Sequence, residues 1–458
     1  MSATPVIAIF DVGKTNKKLF LFDENYRIVY ERSAKFIETV DEDGDPCENL
    51  ESLRLSVFDS LNEVFRQKQF EVRAVNFSAY GASFVYVDEQ GKPLTPLYNY
   101  LKAYPEEISD KLYADNGGAE QFSVDTASPV LGSLNSGLQL LRLKNQRPEI
   151  FKKLKYALHL PQYLSFLVSG EPVSDLTSIG CHTALWDFNK NDYHDWVKQE
   201  GIAEKLAPIV PANKVSPAIF PGSNIKVGVG LHDSSAALIP YLVSFNEPFV
   251  LISTGTWCIS LNPFNDAPLT VDELKQDCLC YLQYQGKPVK ASRLFSGYEH
   301  EQQVKRITEH FFNEKFNFRT MDFNPEVIAK LKLSQPIIEA KGTESAFAKR
   351  DLNSFANGEE AYHQFIVDLV ALQIKSTELV LKGTAVKRIF VDGGFGKNNI
   401  FMHLLALAFP QLEIFAASMA QATAMGAALA LHKEWNKKAI PHDIIELKYY
   451  SSNQTITI

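Results

Sequence analysis

The chain has 458 residues, 45% of them hydrophobic and 22% charged, with a formal net charge of −8 at neutral pH. This is the balance of a folded globular protein, and the length exceeds the roughly 250–300 residues at which a single core stops growing, so two or three domains are expected. An acidic chain without a basic stripe is not a nucleic-acid binder, and no run reaches the ~18 uninterrupted apolar residues of a membrane span.

The opening "MSATPVIAIFD" has neither the basic region nor the apolar region of a signal peptide. Cys47, Cys181, Cys258, Cys278 and Cys280 are odd in number, scattered and without zinc-ligand spacing. Reduced thiols in a cytoplasmic protein are the expectation.

The first element is "IAIFDVGKTNKKLFLFD", residues 7 to 23, whose Gly13-Lys14-Thr15 matches the tail of a Walker A loop. Where that loop's first glycine belongs stands Ala8, and the residues after Thr15 read as a strand, not the helix the loop requires. The stretch is therefore predicted as strand, tight turn, strand, with a further turn at Asn25. Asp11 ends a buried strand, Gly13 closes the turn, and Lys14, Thr15 and backbone N–H groups project from the tip. Such a tip can cradle a phosphate while the carboxylate holds a hydrated Mg²⁺; a plain D-x-G hairpin is the alternative.

Further on, "NSGLQLLRLKNQ" and "PEIFKKLKYALHLPQYLSFLVSG" carry apolar residues at helical spacing (Leu134, Leu138, Leu141; Phe151, Leu154, Leu158), so helices are predicted, broken at Pro148 and stopped at Gly170. His182 reads as a structural histidine, and Trp186 and Trp257 as packing residues. In "KVGVGLHDSSAALIPYL" a short strand leads to a helix with Asp233 at its start. That carboxylate either caps the helix or, kept ionised by the helix dipole, takes a proton from a bound hydroxyl. "YLVSFNEP", residues 241 to 248, is the expected boundary between a domain of residues 1–243 and one of residues 244–458.

The second half opens on "FVLISTGTWCISL", a strand, Ser253-Thr254-Gly255-Thr256 and another strand, half a chain away from the first such hairpin. Two related domains of α/β class follow from that repetition. In "VKRIFVDGGFGKNNIFMHLLALAF" a strand ends in Asp392, Gly393 and Gly394 form a turn, and a helix begins near Asn398. Two glycines suit either a tight turn or a nucleotide base lying on it. Gly426 in "QATAMGAALALH" suits close helix packing.

Together, "FDVGKTN", "GLHDSSAAL", "ISTGTWCISL", "VDGGFGKNN" and "QATAMGAAL" resemble, in this order along nearly the whole chain, the FGGY carbohydrate kinases of the actin-like ATPase superfamily. The resemblance implies two ribonuclease-H-like domains flanking a central cleft, an N-terminal sugar-binding and catalytic-base domain and a C-terminal nucleotide-binding domain, with ATP and Mg²⁺ as cofactors. By the same resemblance Asp11, Gly13, Lys14 and Thr15 contact phosphates and metal. Ser253, Thr254, Gly255 and Thr256 form a second phosphate loop, and Gly393, Gly394 and Asn398 lie against adenosine. Asp233 is implied as the catalytic base and, with Asp11, as a ligand of Mg²⁺ through water. Phosphoryl transfer needs mainly positioning and charge neutralisation, which two hairpins, a metal and one carboxylate supply.

Within the family, "SAYGASFVYVDEQGKPL" and "HDSSAALIP" are most similar to rhamnulokinases, then fuculokinases. Those relatives carry Gly-Val-Asp where this chain has Gly81-Ala82-Ser83, and Asp-x-Arg where it has Leu101-Lys102-Ala103-Tyr104. A buried sugar hydroxyl left unpaired costs ~1–3 kcal/mol, enough to change specificity. Tyr80, Gly81, Ser83, Phe84 and Gln162 join Asp233 as expected sugar contacts, with a plain core role as the alternative for Tyr80 and Phe84. The expected activity is transfer of the ATP γ-phosphate to a small ketose or deoxyketose, L-rhamnulose-like or L-fuculose-like, with D-xylulose or another pentulose as the alternative substrate. A non-catalytic sugar and ATP sensor or scaffold is the reading from a different class, and a homodimer is compatible with either.

Overall fold

The computed structural model describes residues 3–14, 16–34, 38–311, 317–336, 344–419 and 421–451. Thr15, expected among the phosphate contacts, lies outside them.

The first apolar run forms the strand Thr4–Val12, central in a seven-stranded sheet. It pairs antiparallel with Lys17–Asp23, which pairs with Ile28–Ala34, and parallel with Phe70–Ala79, which pairs parallel with Lys226–Gly228. In chain order the strands thus lie third, second, first, fourth, fifth. Both faces of the sheet are covered, which is why the central strand is an unbroken apolar run. Val6, Ala8 and Phe10 share a core with Leu53, Val57 and Leu61, whereas Ile7 and Ile9 share one with Ala236, Ala424 and Ala427.

The second half repeats the order. Phe249–Thr254 pairs antiparallel with Cys258–Asn262, which pairs with Pro288–Leu294; on its other side lie Arg388–Gly393 and Glu413–Ser418, both parallel. Cys278–Leu282 and Glu446–Tyr450 extend the two edges, and the helix Gly358–Leu381 supplies much of this half's core. This is the ribonuclease-H-like fold, twice. All five cysteines are buried and, among the described residues, unpaired.

The helix expected across residues 148–170 is instead a helix Pro148–Lys153, a strand Tyr156–His159 and a helix Leu160–Ser169. Ala157, Leu158 and His159 are all buried, so no polar face is left for a helix to present, and the segment pairs with Phe84–Val87. Pro161 sits in the first turn of the new helix, where its missing N–H has no cost. Gly170 ends it at φ +70°.

The helix Asp233–Ser244 packs against Ala422–Ala430, and a Cβ on Gly426 would stand 1.8 Å from the Ala236 carbonyl oxygen. Ala422–Ala430 lies in sequence between the strands Glu413–Ser418 and Glu446–Tyr450 of the second sheet yet packs on the first, where Asn76 Nδ2 donates to the Ala427 carbonyl at 2.8 Å. This helix pair carries the junction between the halves. No helix among the described residues is long and apolar enough to cross a membrane.

Candidate active site

In open α/β sheets ligands gather beyond the carboxyl ends of the parallel strands. At that edge of the first sheet Asp11 pairs with Ser78, and the short strand Leu231–His232 aligns with Ser78 and Ala79, delivering Asp233 to the same edge. The first turn is tight, with Gly13 N–H donating to the Asn16 carbonyl at 2.8 Å. Asp11 accepts a 2.8 Å bond from Thr423 Oγ1 of the junction helix. Burial pushes its carboxyl up to about 6; the Thr423 bond pulls down, and the charge of Asp233 pushes up again. The two carboxylates therefore share one electrostatic environment.

Asp233 is not a side-chain cap. The cap position belongs to His232, and Asp233 Oδ1 accepts from the Ser234 N–H at 2.6 Å. Its side chain is 34% exposed, with His232 Nδ1 3.6 Å away, beyond hydrogen-bond reach. His232 is buried and held below its ordinary pKa by desolvation, so it is a neutral neighbour. Gly81, expected as a sugar contact, is what seats it: a Cβ there would meet the imidazole at 2.4 Å.

Lys14 does not point as a Walker lysine would. Its ammonium lies 3.5 Å from Glu48 and over the rings of Tyr80 and Tyr100, at 5.8 and 5.9 Å from their centroids. Tyr80 is buried with its edge toward Tyr100. Ser83 is buried, and its hydroxyl has no hydrogen-bond partner among the described residues.

Two expected sugar contacts are placed elsewhere. Phe84 is buried in the apolar core, its ring stacked on His159 at 3.9 Å, because its strand turns that side chain away from the cleft. Gln162 is fully buried and donates to the Gly230 carbonyl at 2.8 Å, so it braces the loop that leads to Asp233. Lys102 is committed to Asp41, Asp43 and Asp45 at 2.5, 2.7 and 3.1 Å, while Leu101 is 75% exposed.

The second hairpin also closes on its glycine, Gly255 N–H donating to the Trp257 carbonyl at 2.8 Å. Gly255 and Thr256 are exposed at the tip and Ser253 is half-buried. Thr254 differs from expectation: its hydroxyl donates to the Asp392 carbonyl at 2.5 Å and accepts from Phe395 N–H at 3.0 Å, leaving no donor for a phosphate. It locks the neighbouring turn instead. Gly393 is the other half of that lock, at φ +91°, where a Cβ would stand 2.0 Å from the Thr254 carbonyl oxygen. Gly394 faces open space.

A cleft of about 480 Å³ opens there, lined by Gly255, Gly297, His300, Tyr362, Gly394 and Asn398 among others. Asn398 caps the following helix through Phe401 N–H and donates Nδ2 to the Tyr362 hydroxyl at 2.8 Å. Gly297 matters because a Cβ on it would collide with the Gly255 carbonyl at 1.9 Å. Trp257, expected to pack, is 43% exposed, its ring beside Phe295 and under Arg293.

Several of these residues gave no sequence signal. Thr423 stands far along the chain from Asp11 in a run of small residues, and only the junction helix joins them. Gly297, His300 and Tyr362 lie on helices without a motif. His232 stands inside "GLHD" and was legible only as part of that motif.

Two ribonuclease-H-like domains with carboxylates at the edge of one and a cleft beside the hairpin of the other define the actin-like ATPase class. Residues 6–239 match the N-terminal domain of the FGGY family of carbohydrate kinases, and residues 246–439 match the FGGY carbohydrate kinase C-terminal domain. The chain belongs to the FGGY family. It is 23% identical to a rhamnulokinase of Halalkalibacterium halodurans over 294 residues, 57% of this chain and 56% of that one. The chain thus spans about half the length of the curated relatives it matches. A carbohydrate kinase from Novosphingobium aromaticivorans shares the fold with a TM-score of 0.81 at 23% identity, covering 98% of this chain and 94% of that one. A xylulose kinase from Lactobacillus acidophilus does so at 0.76 and 16%, with the same coverage.

Proposed function

We propose that the protein is an ATP-dependent kinase that transfers the γ-phosphate to a hydroxyl of a small ketose or deoxyketose. The observation that carries this reading is the pair Asp11 and Asp233 at one sheet edge, Asp11 raised to about 6 in part by its neighbour's charge. Asp233, half-exposed at a helix N-terminus, is the general base: its free oxygen can accept the hydroxyl proton as the oxygen attacks phosphorus.

Two carboxylates at one sheet edge suit a hard dication, and the donor set fits Mg²⁺. Asp11 and Asp233 would hold it, through water, where it would neutralise charge on the phosphates. The backbone at the two hairpin tips, at Lys14 and at Thr256, would contact the phosphate oxygens, the Gly13 and Gly255 N–H groups being spent on closing the turns, with adenosine in the 480 Å³ cleft against Gly394 and Asn398. We read residues 1–243 as the sugar and base domain and 244–458 as the nucleotide domain, with Thr423 of the latter reaching back to Asp11. Closure of the two halves would keep water from serving as the acceptor.

The test is a coupled ADP-release screen over L-rhamnulose, L-fuculose, D-xylulose and L-ribulose, with the matching aldoses and glycerol as controls. One ketose should stand out with Mg²⁺ present. No stimulation by any of them would shift the reading to a sensor that keeps the fold without transfer.

A further inference from the structure

Four of the eight positions that adopt left-handed backbone without being glycine, among the described residues, belong to one hydrogen-bonded neighbourhood. They are Ala82 at φ +61°, Ala127 at +45°, His182 at +40° and Ala184 at +63°. Such conformations persist only where the surroundings over-determine them, and they concentrate at functional sites. The surroundings are visible here: Asn135 Nδ2 donates to the His182 carbonyl at 2.7 Å, Gly137 N–H to the Thr183 carbonyl at 2.8 Å, and Ala184 N–H to Ser128 Oγ at 2.9 Å. Gln139 Nε2 holds the Ala82 carbonyl at 2.7 Å.

What this scaffold presents is the ring of His182. Its neighbour Cys181 bridges to Tyr281 of the second sheet, and Leu282 N–H donates to the Gly180 carbonyl at 3.2 Å, so the segment is tied across the two halves. The imidazole feels His232, next to Asp233 in the first half, and Arg293, which stacks on Trp257 in the second. Arg293 is itself fixed by Asp277 at 2.7 Å. The Cys181 thiol lies in the fields of both Asp233 and Arg293. His182 is therefore beside the reacting edge, and burial holds it neutral, its pKa down to about 3. Its Nδ1 is buried and, among the described residues, makes no well-aligned hydrogen bond, although the backbone carbonyls of Leu134 and of His182 itself act on the ring. A buried polar atom left unpaired calls for an explanation, and a ligand hydroxyl supplies one.

We infer that His182 is a specificity-determining residue, its neutral imidazole reading a hydroxyl of a polyhydroxylated ketose at the junction of the two domains. This rests on the kinase reading above. A neutral ring that both donates and accepts suits a hydroxyl better than a charge would.

Glycine adopts the left-handed backbone freely, so His182→Gly removes the ring without adding strain. We expect the sugar KM to rise about ten- to a hundredfold, with the ATP KM within about twofold and the protein still folded. The variant's preference among sugars differing at one hydroxyl should flatten. His182→Asn, which tolerates the same backbone and keeps an amide near Nδ1, should recover part of the loss. A folded His182→Gly with unchanged sugar KM and unchanged preference overturns the inference alone. If His182→Gly does not fold, an unchanged sugar KM and preference in His182→Gln, whose amide lies beyond Nδ1, overturns it equally. A wild-type protein inert toward every sugar overturns the kinase reading, and this inference with it.

Discussion

The two hairpins have the same construction and opposite contents. In each a polar residue, one buried residue and a glycine end the strand: Asp11, Val12 and Gly13 in the first, Ser253, Thr254 and Gly255 in the second. Each glycine N–H closes its turn at 2.8 Å. The first hairpin keeps a buried carboxylate with one hydroxyl donor, Thr423, and a second carboxylate nearby, so charge there is poorly compensated. The second spends its hydroxyl inward, on Asp392 and Phe395, and exposes backbone and an aromatic tip. On the proposed reading, one fold element is a place for a cation and the other a rigid wall for a nucleotide. The difference lies in which side chain occupies the strand's last turn, not in the backbone.

The contrast can be broken most strongly at Asp11. Asp11→Asn should lower sugar-dependent turnover about a hundredfold while raising the unfolding midpoint of the ligand-free protein at pH 7.5. The folded carboxyl titrates near 6 and an unfolded one near 3.8, so the folded state holds more protons between those values. Asp11 therefore adds stability as pH falls through about 6 toward 4, and thermal scans of Asp11→Asn over that range should show this rise gone. At the second hairpin the effect should be on stability. Thr254→Val leaves the Phe395 N–H and Asp392 carbonyl unpaired and should cost ~1–3 kcal/mol in denaturant unfolding, with a smaller change in turnover. The smallest effect belongs to Lys14: its ammonium already serves Glu48, so Lys14→Ala should change ATP affinity less than about threefold, as read by calorimetry. Abolished binding in Lys14→Ala would restore the Walker lysine that Ala8 argues against.

Much of this arrangement was legible in the chain. Strand–turn–strand at both hairpins, the α/β class, and Asp233 at a helix start all follow from local patterns, because a residue pair such as Asp11 and Gly13 carries its own turn. Residues 156–159 read as helix because Phe151, Leu154 and Leu158 fall at helical spacing, and only pairing with Phe84–Val87 decides for a strand. Phe84 and Gln162 look like cleft residues by position, but burial depends on the core formed around them. The role of Thr254 could not be read either: its partners Asp392 and Phe395 come from a strand and turn far along the chain. Thr423 on Asp11 is the same lesson at greater range.

The central claim is that Asp233 accepts the proton of the sugar hydroxyl. The direct measurement is sugar-dependent ADP release by Asp233→Asn beside the wild-type protein, at saturating ATP and Mg²⁺, with the best ketose of the screen. The account predicts a loss of about a hundredfold or more in kcat, with sugar and nucleotide still bound. An undiminished rate would contradict it.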